Sequence, residues 1–147
     1  MSHAPRASFA EVAPDAYRAV AGVEAYIRGC GLEKTLLELV KMRASQINGC
    51  AYCLDMHSKD ALKNGEAEQR LYLLNSWRET TFYSERERAA LAWTEHLTLV
   101  STQGAPQDAY DRLAAVFSEV EIANLTLLIG LINLWNRLAI AGGFPLT

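Results

Sequence analysis

Apolar residues recur every three or four positions along most of the chain, which is the spacing of helices that bury one face. No stretch shows the sustained alternation of apolar and polar residues that is typical of strands. The four prolines fall outside the periodic segments. The pattern therefore predicts an all-α fold of about seven helices.

Local start and stop signals set the limits of these helices. Asn48 and Gly49 most readily adopt positive φ and should end the second helix. Two capping boxes, Ser84 with Glu87 and Ser118 with Glu121, should open the fifth and seventh. The first predicted helix spans residues 14 to about 29, the second ends near residue 48, the third spans about 50–64 and the fourth lies within 66–77. The fifth begins after residues 84–87, the sixth spans about 107–117 and the seventh begins after residue 118.

Composition restricts the class of protein. A chain of 147 residues that is half apolar can bury one core, so we expect a single domain over residues 1–147. A net charge of -3, with both signs mixed along the chain, argues against a nucleic-acid partner. The opening residues, where His3 should lie in a tail, lack the apolar core of a secretory signal, which favours the cytoplasm.

The most apolar segment, residues 122–143, is interrupted by asparagines and by Arg137. It is predicted to be a buried helix and not a membrane span. The apolar faces of the first and seventh helices exceed what a monomer of this size needs to bury. We therefore expect a homo-oligomer.

Residues 48–57 read NGCAYCLDMH and carry the candidate chemistry. Cys50, Cys53 and His57 occupy positions i, i+3 and i+7, which share one face of a helix. Unpaired backbone amides at the start of this helix should lower the thiol pKa. His57 follows Cys53 by one turn and could accept its proton.

Glu38 is the carboxylate expected to orient His57. A break of two residues predicts that the second and third helices form an antiparallel hairpin, with Glu38 at the height of His57. Its apolar neighbours in the sequence favour burial. The competing interpretation is an exposed charge that pairs with Lys34 or Lys41.

Other interpretations of the two cysteines and the histidine compete with a redox pair. Zinc would need a fourth ligand, from Glu38, Cys30, His96 or water. Haem attachment requires a histidine directly after the second cysteine, and a thioredoxin fold requires strands. The simplest alternative is two small buried cysteines beside a core histidine.

Several further residues are expected to be structural. Cys30 should be a packing residue, and His96 should lie on a solvated face. Trp77, Phe82 and Tyr83 should pin the loop between the fourth and fifth helices to the core, although one of them could wall a substrate pocket.

The spacing of Glu38, eleven residues, Cys50, two residues, Cys53, three residues and His57 resembles the signature of the alkylhydroperoxidase D (AhpD) family, within the carboxymuconolactone decarboxylase-like superfamily. The surrounding LLELVKMRASQINGCAYCLDMHSKDALKNGE and the later SERERAALAWTEHLTLV are similar to small single-domain members. The resemblance covers most of residues 15–141.

This resemblance implies an AhpD-like helical fold with the C-x-x-C at the start of the third helix, assembled as a trimer or hexamer. It implies a peroxidase that works through a redox-active Cys50–Cys53 disulfide, without metal or flavin. Cys53 would attack the hydroperoxide, Cys50 would resolve, and Glu38 with His57 would relay protons. A dithiol or a lipoyl-bearing protein would be the reductant.

One residue departs from the family pattern. The best-known peroxidases of the family carry a histidine between the cysteines, where this chain has Tyr52, so the relay is shorter and strong peroxidase activity is not expected. The physical argument alone leaves the order of attack open, because the helix terminus favours a thiolate at Cys50 and the histidine favours one at Cys53. A decarboxylase of small lactones or a non-catalytic oligomer are the alternative functions.

Overall fold

The computed structural model describes residues 4–146, so His3 lies outside the described residues. All regular structure in that range is helical, which confirms the all-α prediction. The helices are α1 (Phe9–Val12), α2 (Pro14–Arg28), α3 (Lys34–Asn48), α4 (Ala51–Lys63), α5 (Glu68–Tyr72), a 3-10 helix (Leu74–Glu79), α6 (Glu85–Thr98), α7 (Val100–Gln103), α8 (Gln107–Ala114) and α9 (Glu119–Gly142).

The number of helices is larger than predicted. Two one-turn helices, α1 and α7, are too short to show a periodic pattern. The predicted fourth helix is divided into α5 and the 3-10 helix, which is itself kinked at Ser76. Because α1 precedes α2, the helix that begins at the C-x-x-C is the fourth and not the third.

Both predicted capping boxes are present. The Ser84 hydroxyl accepts a hydrogen bond from the Glu87 amide at 3.1 Å, and the Ser84 amide donates to the Glu87 carboxylate at 2.8 Å. Ser118 and Glu121 make the same reciprocal pair. These bonds satisfy amides that a helix start leaves unpaired, which explains why these two starts were readable from the sequence.

Helix α9 is the centre of the fold and packs against α2, α3, α4, α6 and α8. By length and composition alone it could cross a membrane. In the fold its buried face supplies Leu125, Leu128, Ile129 and Leu131 to the main core, as the interrupted apolar pattern predicts. A second cluster, around Leu74 and Leu91, lies on the other side of α3.

The residues expected to be structural behave differently from one another. Cys30 is a free thiol that packs against the main core, as predicted. Trp77 and Tyr83 are buried and hold the loop before α6, whereas Phe82 is 44% exposed. The expectation that His96 lies on a solvated face is wrong, because its side chain is half-buried and its Nδ1 is enclosed without a hydrogen-bond partner.

Candidate active site

A tight turn between α3 and α4 creates the site. Gly49 adopts a left-handed conformation, with φ of 68°, which costs glycine little. The Cys50 amide then donates back to the Ser45 carbonyl at 3.0 Å. The two helices pack closely against each other after this turn, as the Asn-Gly break predicts.

Polar side chains from α9 hold the turn in place. The Asn48 side-chain amide donates to the side-chain oxygens of Asn133 and Asn136, each at 2.9 Å. Asn136 is fully buried and donates in turn to the Ser45 hydroxyl at 3.0 Å. The asparagines that interrupt the apolar pattern of α9 therefore connect this helix to the turn that carries the cysteines.

Cys50 and Cys53 are joined in a disulfide, with 5.3 Å between their Cα atoms. Cys50 is the N-cap of α4, which begins one residue after the predicted start, and the Cys50 sulfur accepts a hydrogen bond from the Cys53 amide at 3.3 Å. Both residues are almost fully buried. They differ in surroundings, because Cys53 lines the main cavity of the described chain and Cys50 does not.

The predicted contact between Glu38 and His57 is confirmed. The His57 Nδ1 lies 3.1 Å from the Glu38 carboxylate, and the two side chains are only 7% and 12% exposed. The competing pairing with lysine is wrong, because Lys41 instead donates to Glu24 at 2.7 Å. Within residues 4–146, Lys34 makes no ion pair with Glu38.

Glu24 and Lys41 form a second ion pair on the cavity wall, between α2 and α3. Burial raises the pKa of Glu24, but the hydrogen bond and the positive charge of Lys41 outweigh it and hold that pKa below its usual value. The Trp135 indole also donates to Glu24, at 3.3 Å. Glu24 therefore stays charged at neutral pH, and its ion pair holds Lys41 against α2.

The cavity has a volume of about 1200 Å³ and is lined by Glu38, Cys53 and His57 together. Residues from both ends of the described chain close one side of it. The Arg6 amide donates to the Gly142 carbonyl at 3.0 Å, and the Arg6 guanidinium donates to the Ala141 carbonyl at 2.9 Å. Phe144 packs edge-on against Tyr52, with 5.3 Å between the ring centres.

Comparison with known proteins identifies the family. The family model for the carboxymuconolactone decarboxylase family matches residues 14–96. The chain belongs to the carboxymuconolactone decarboxylase family. An uncharacterised Bacillus subtilis protein, YdfG, is 44% identical over 138 residues, which cover 94% of each chain.

Solved structures show an AhpD-like fold within this family. A protein of unknown function from Agrobacterium tumefaciens, described as a candidate antioxidant defence protein AhpD, is similar with a TM-score of 0.95 and 42% identity over 98% of this chain and 99% of that chain. The debrominase Bmp8 shares the fold at 24% identity and a TM-score of 0.79, over 91% of this chain and 72% of that chain.

One group of side chains in this carboxymuconolactone decarboxylase family member could hold a metal ion. Ligand atoms of Glu38, His57 and Asp60 lie within 4.8 Å of one another. The predicted zinc set was different, because it used the two cysteines, which here are bonded to each other. Of the three side chains considered as a fourth zinc ligand, Glu38 belongs to this group, whereas Cys30 and His96 do not.

Sequence reasoning missed the outer parts of the site. Asp60 follows His57 by one turn on α4 and could have been found from that spacing. The contributions of Arg6 and Phe144 carried no local signal, because Arg6 contacts Ala141 and Phe144 contacts Tyr52, residues that are far apart in the sequence. Trp135 was similarly hidden within the apolar pattern of α9.

Proposed function

We propose that this member of the carboxymuconolactone decarboxylase family is a thiol-dependent peroxidase of AhpD type. The observation that carries the proposal is the convergence of Cys53, His57 and Glu38 on one cavity, with Cys50 bonded to Cys53 behind it. These groups supply a nucleophile, a base, a carboxylate that orients the base and a resolving thiol.

The first step oxidises Cys53. His57 takes the thiol proton, and the Cys53 thiolate attacks the terminal oxygen of a hydroperoxide. The O–O bond breaks, a sulfenic acid forms on Cys53, and the departing alkoxide takes the proton from His57 and leaves as an alcohol. The hydrogen bond from His57 Nδ1 to Glu38 stabilises the imidazolium that forms between these events.

The second step closes the disulfide. The Cys50 thiol attacks the sulfur of the sulfenic acid, an S–S bond replaces the S–O bond, and water leaves with the Cys50 proton. An external dithiol, such as a lipoyl-type protein, then supplies the two electrons and two protons that restore both thiols. The cycle uses no other cofactor. It is consistent with a cytoplasmic location, where dithiol reductants are available.

The cavity supports Cys53 as the attacking cysteine. Cys53 lines the cavity that a hydroperoxide would enter and Cys50 does not, although both residues are almost fully buried. The hydrogen bond that the Cys50 sulfur accepts from the Cys53 amide would also stabilise a thiolate at Cys50. Access from the cavity and the adjacent His57 therefore support Cys53 as the attacking cysteine.

The presence of Tyr52 between the two cysteines predicts a moderate rate of peroxide reduction. Its ring packs against Phe144 and provides no imidazole between the two cysteines. The relay available from the described residues is thus Glu38 and His57 alone. We expect peroxide reduction that is measurable but slower than in relatives with a second histidine.

A sulfenic acid trap tests the assignment of the two cysteines. Reduced protein is treated with one equivalent of hydroperoxide in the presence of the trap. Cys50→Ser should accumulate the adduct on Cys53, and Cys53→Ser should label slowly. Cys30→Ser is the matched control and should behave as the wild type, because Cys30 packs against the core away from the cavity.

Other results would contradict the proposal. Equal labelling of Cys50 and Cys53, or labelling of Cys50 alone, would reverse the assigned roles. Lactone decarboxylation that survives Cys50→Ser would identify the protein as a decarboxylase. Stoichiometric bound zinc, lost on chelation together with protection of the thiols, would replace the redox interpretation.

A further inference from the structure

The cavity at Cys53 is far larger than hydrogen peroxide requires. Its volume is about 1200 Å³, whereas a water molecule, which is similar in size to hydrogen peroxide, occupies roughly 30 Å³ in the liquid. Cavities that bind organic ligands have volumes of roughly 300–1,000 Å³. The size of the cavity therefore favours an organic molecule.

Much of the wall can contact a hydrocarbon. Aromatic rings from five parts of the chain line the cavity, together with aliphatic side chains and a methionine. The apolar side chains that carry this argument are Phe9, Tyr17, Leu37, Met56, Trp135 and Phe144. Burial of apolar ligand surface against them would supply about 25 cal/mol per Å².

The charged groups in the wall are not balanced. Five cationic and three carboxylate side chains line the cavity, although the chain as a whole has a net charge of -3. Glu24 is neutralised by Lys41, and Glu38 lies against His57. In the described part of the chain, Arg6, Lys34 and Lys63 line the cavity without a carboxylate within 4.0 Å, and Arg6 is instead bonded to a main-chain carbonyl of α9.

The two lysines also lie at a different end of the cavity from Cys53. Lys34 is the first residue of α3 and Lys63 is the last of α4, so both lie at the open end of the antiparallel hairpin. Cys53 lies near the closed end, ten residues before Lys63, which corresponds to about 15 Å along a helix. Glu38 and Asp60 lie between the two ends.

We propose that the cavity selects organic hydroperoxides whose apolar body carries a carboxylate, with the carboxylate bound by Lys34 and Lys63 and the hydroperoxide at Cys53. This inference rests on the proposed peroxidase function and adds the class of substrate. The inner carboxylates, Glu38 and Asp60, repel the acidic end of such a molecule. The two lysines attract it, so the ligand has one favoured orientation.

Binding is tested without relying on turnover. Decanoate and the uncharged decanamide are titrated into the reduced protein by calorimetry. We expect decanoate to bind about tenfold more tightly, because charged hydrogen bonds contribute more than neutral ones. This preference should disappear in the Lys34→Met/Lys63→Met double variant.

Lys59→Met is the matched control. Lys59 lies on the same helix, is exposed, bonds to Asp55 at 2.9 Å and does not line the cavity. The variant should keep the preference for decanoate. Equal affinity of the wild type for both probes, or a preference that survives in the double variant, would overturn the assignment of the lysines.

Kinetics separate this inference from the peroxidase proposal. A hydroperoxide with a remote carboxylate should show a lower KM than its methyl ester, and the double variant should remove the difference. If the wild type reduces no hydroperoxide, the peroxidase proposal fails. The decanoate titration still decides whether the cavity is an acid-binding site.

Discussion

Glu38 shows how a single charge acquires a role from its surroundings. Its neighbours in the sequence include lysines on either side, yet its side chain is enclosed with His57 as its contact. Buried carboxylates need a partner, because an isolated charge in an apolar environment is costly. The partner here is His57, which follows Cys53 by one turn on α4.

We predict that Glu38→Gln lowers kcat/KM for an organic hydroperoxide about 10²-fold. Glutamine can still accept a hydrogen bond from His57, but it cannot stabilise the charged imidazolium. The measurement is steady-state peroxide reduction with an excess dithiol, with the melting temperature recorded to show that the variant is folded.

Glu79→Gln is the control for this change. Glu79 is exposed at the end of the 3-10 helix and does not line the cavity. Its replacement should leave kcat/KM unchanged. Wild-type activity in Glu38→Gln would show that the carboxylate only fills space beside His57.

At the scale of helices, a second buried carboxylate joins three elements. Glu95 on α6 accepts hydrogen bonds from Arg43 on α3, at 2.9 Å, and from the Trp77 indole, at 3.0 Å, and it pairs with Arg78. Burial raises the pKa of Glu95, but the bonds from Arg78, Trp77 and Arg43 outweigh it and hold that pKa below its usual value.

We predict that Glu95→Gln lowers the free energy of unfolding by about 3 kcal/mol at pH 7, because two arginines lose their counter-charge. A lowered pKa in the folded state stabilises the protein above the unfolded-state pKa, near 4.5, and this contribution is lost as the pH falls through the folded-state pKa. Urea unfolding at pH 7 and pH 3 should show the difference between the two proteins shrink in acid.

The exposed Glu79→Gln variant again serves as the reference and should match the wild type at both pH values. A difference between Glu95→Gln and the wild type that stays constant from pH 7 to pH 3 would contradict the assigned ionisation of Glu95.

Helices with local signals were predicted from the sequence, and those without were not. Ser84, Ser118 and Gly49 determine their own neighbourhoods, so the starts of α6 and α9 and the end of α3 were predicted correctly. The division between α5 and the 3-10 helix was not predicted, because it depends on tertiary contacts such as that of Trp77 with Glu95.

At the scale of the whole molecule, the site also combines contacts that the sequence predicts with contacts that it does not. The register of the hairpin predicted that Glu38 and His57 would meet, because both lie on helices joined by one short turn. The cavity around them depends on α1, α2 and the residues after α9, whose positions follow from contacts across the length of the chain. The spacing of residues along the sequence carries no information about such contacts.

The outer face of α9 leads to a prediction about assembly. Val120, Leu127 and Leu134 recur every seven residues and are 67%, 41% and 39% exposed. Together with α2, this face borders an apolar groove of about 540 Å³. A seven-residue apolar repeat on one helix face is typical of a surface that packs against another helix.

We therefore expect a homo-oligomer, trimeric or larger, at micromolar concentration, and light scattering measures it directly. Leu127→Glu with Leu134→Glu should dissociate the protein, because two carboxylates at a buried interface lose hydration without gaining partners. Val100→Glu, at an apolar position on α7 that is 57% exposed, should leave the oligomer intact. The side chains of Leu127, Leu134 and Val100 are already exposed to water in the single chain, so these substitutions should not unfold it. A monomeric wild type would show that the exposed apolar face of α9 does not form an interface between copies of the chain.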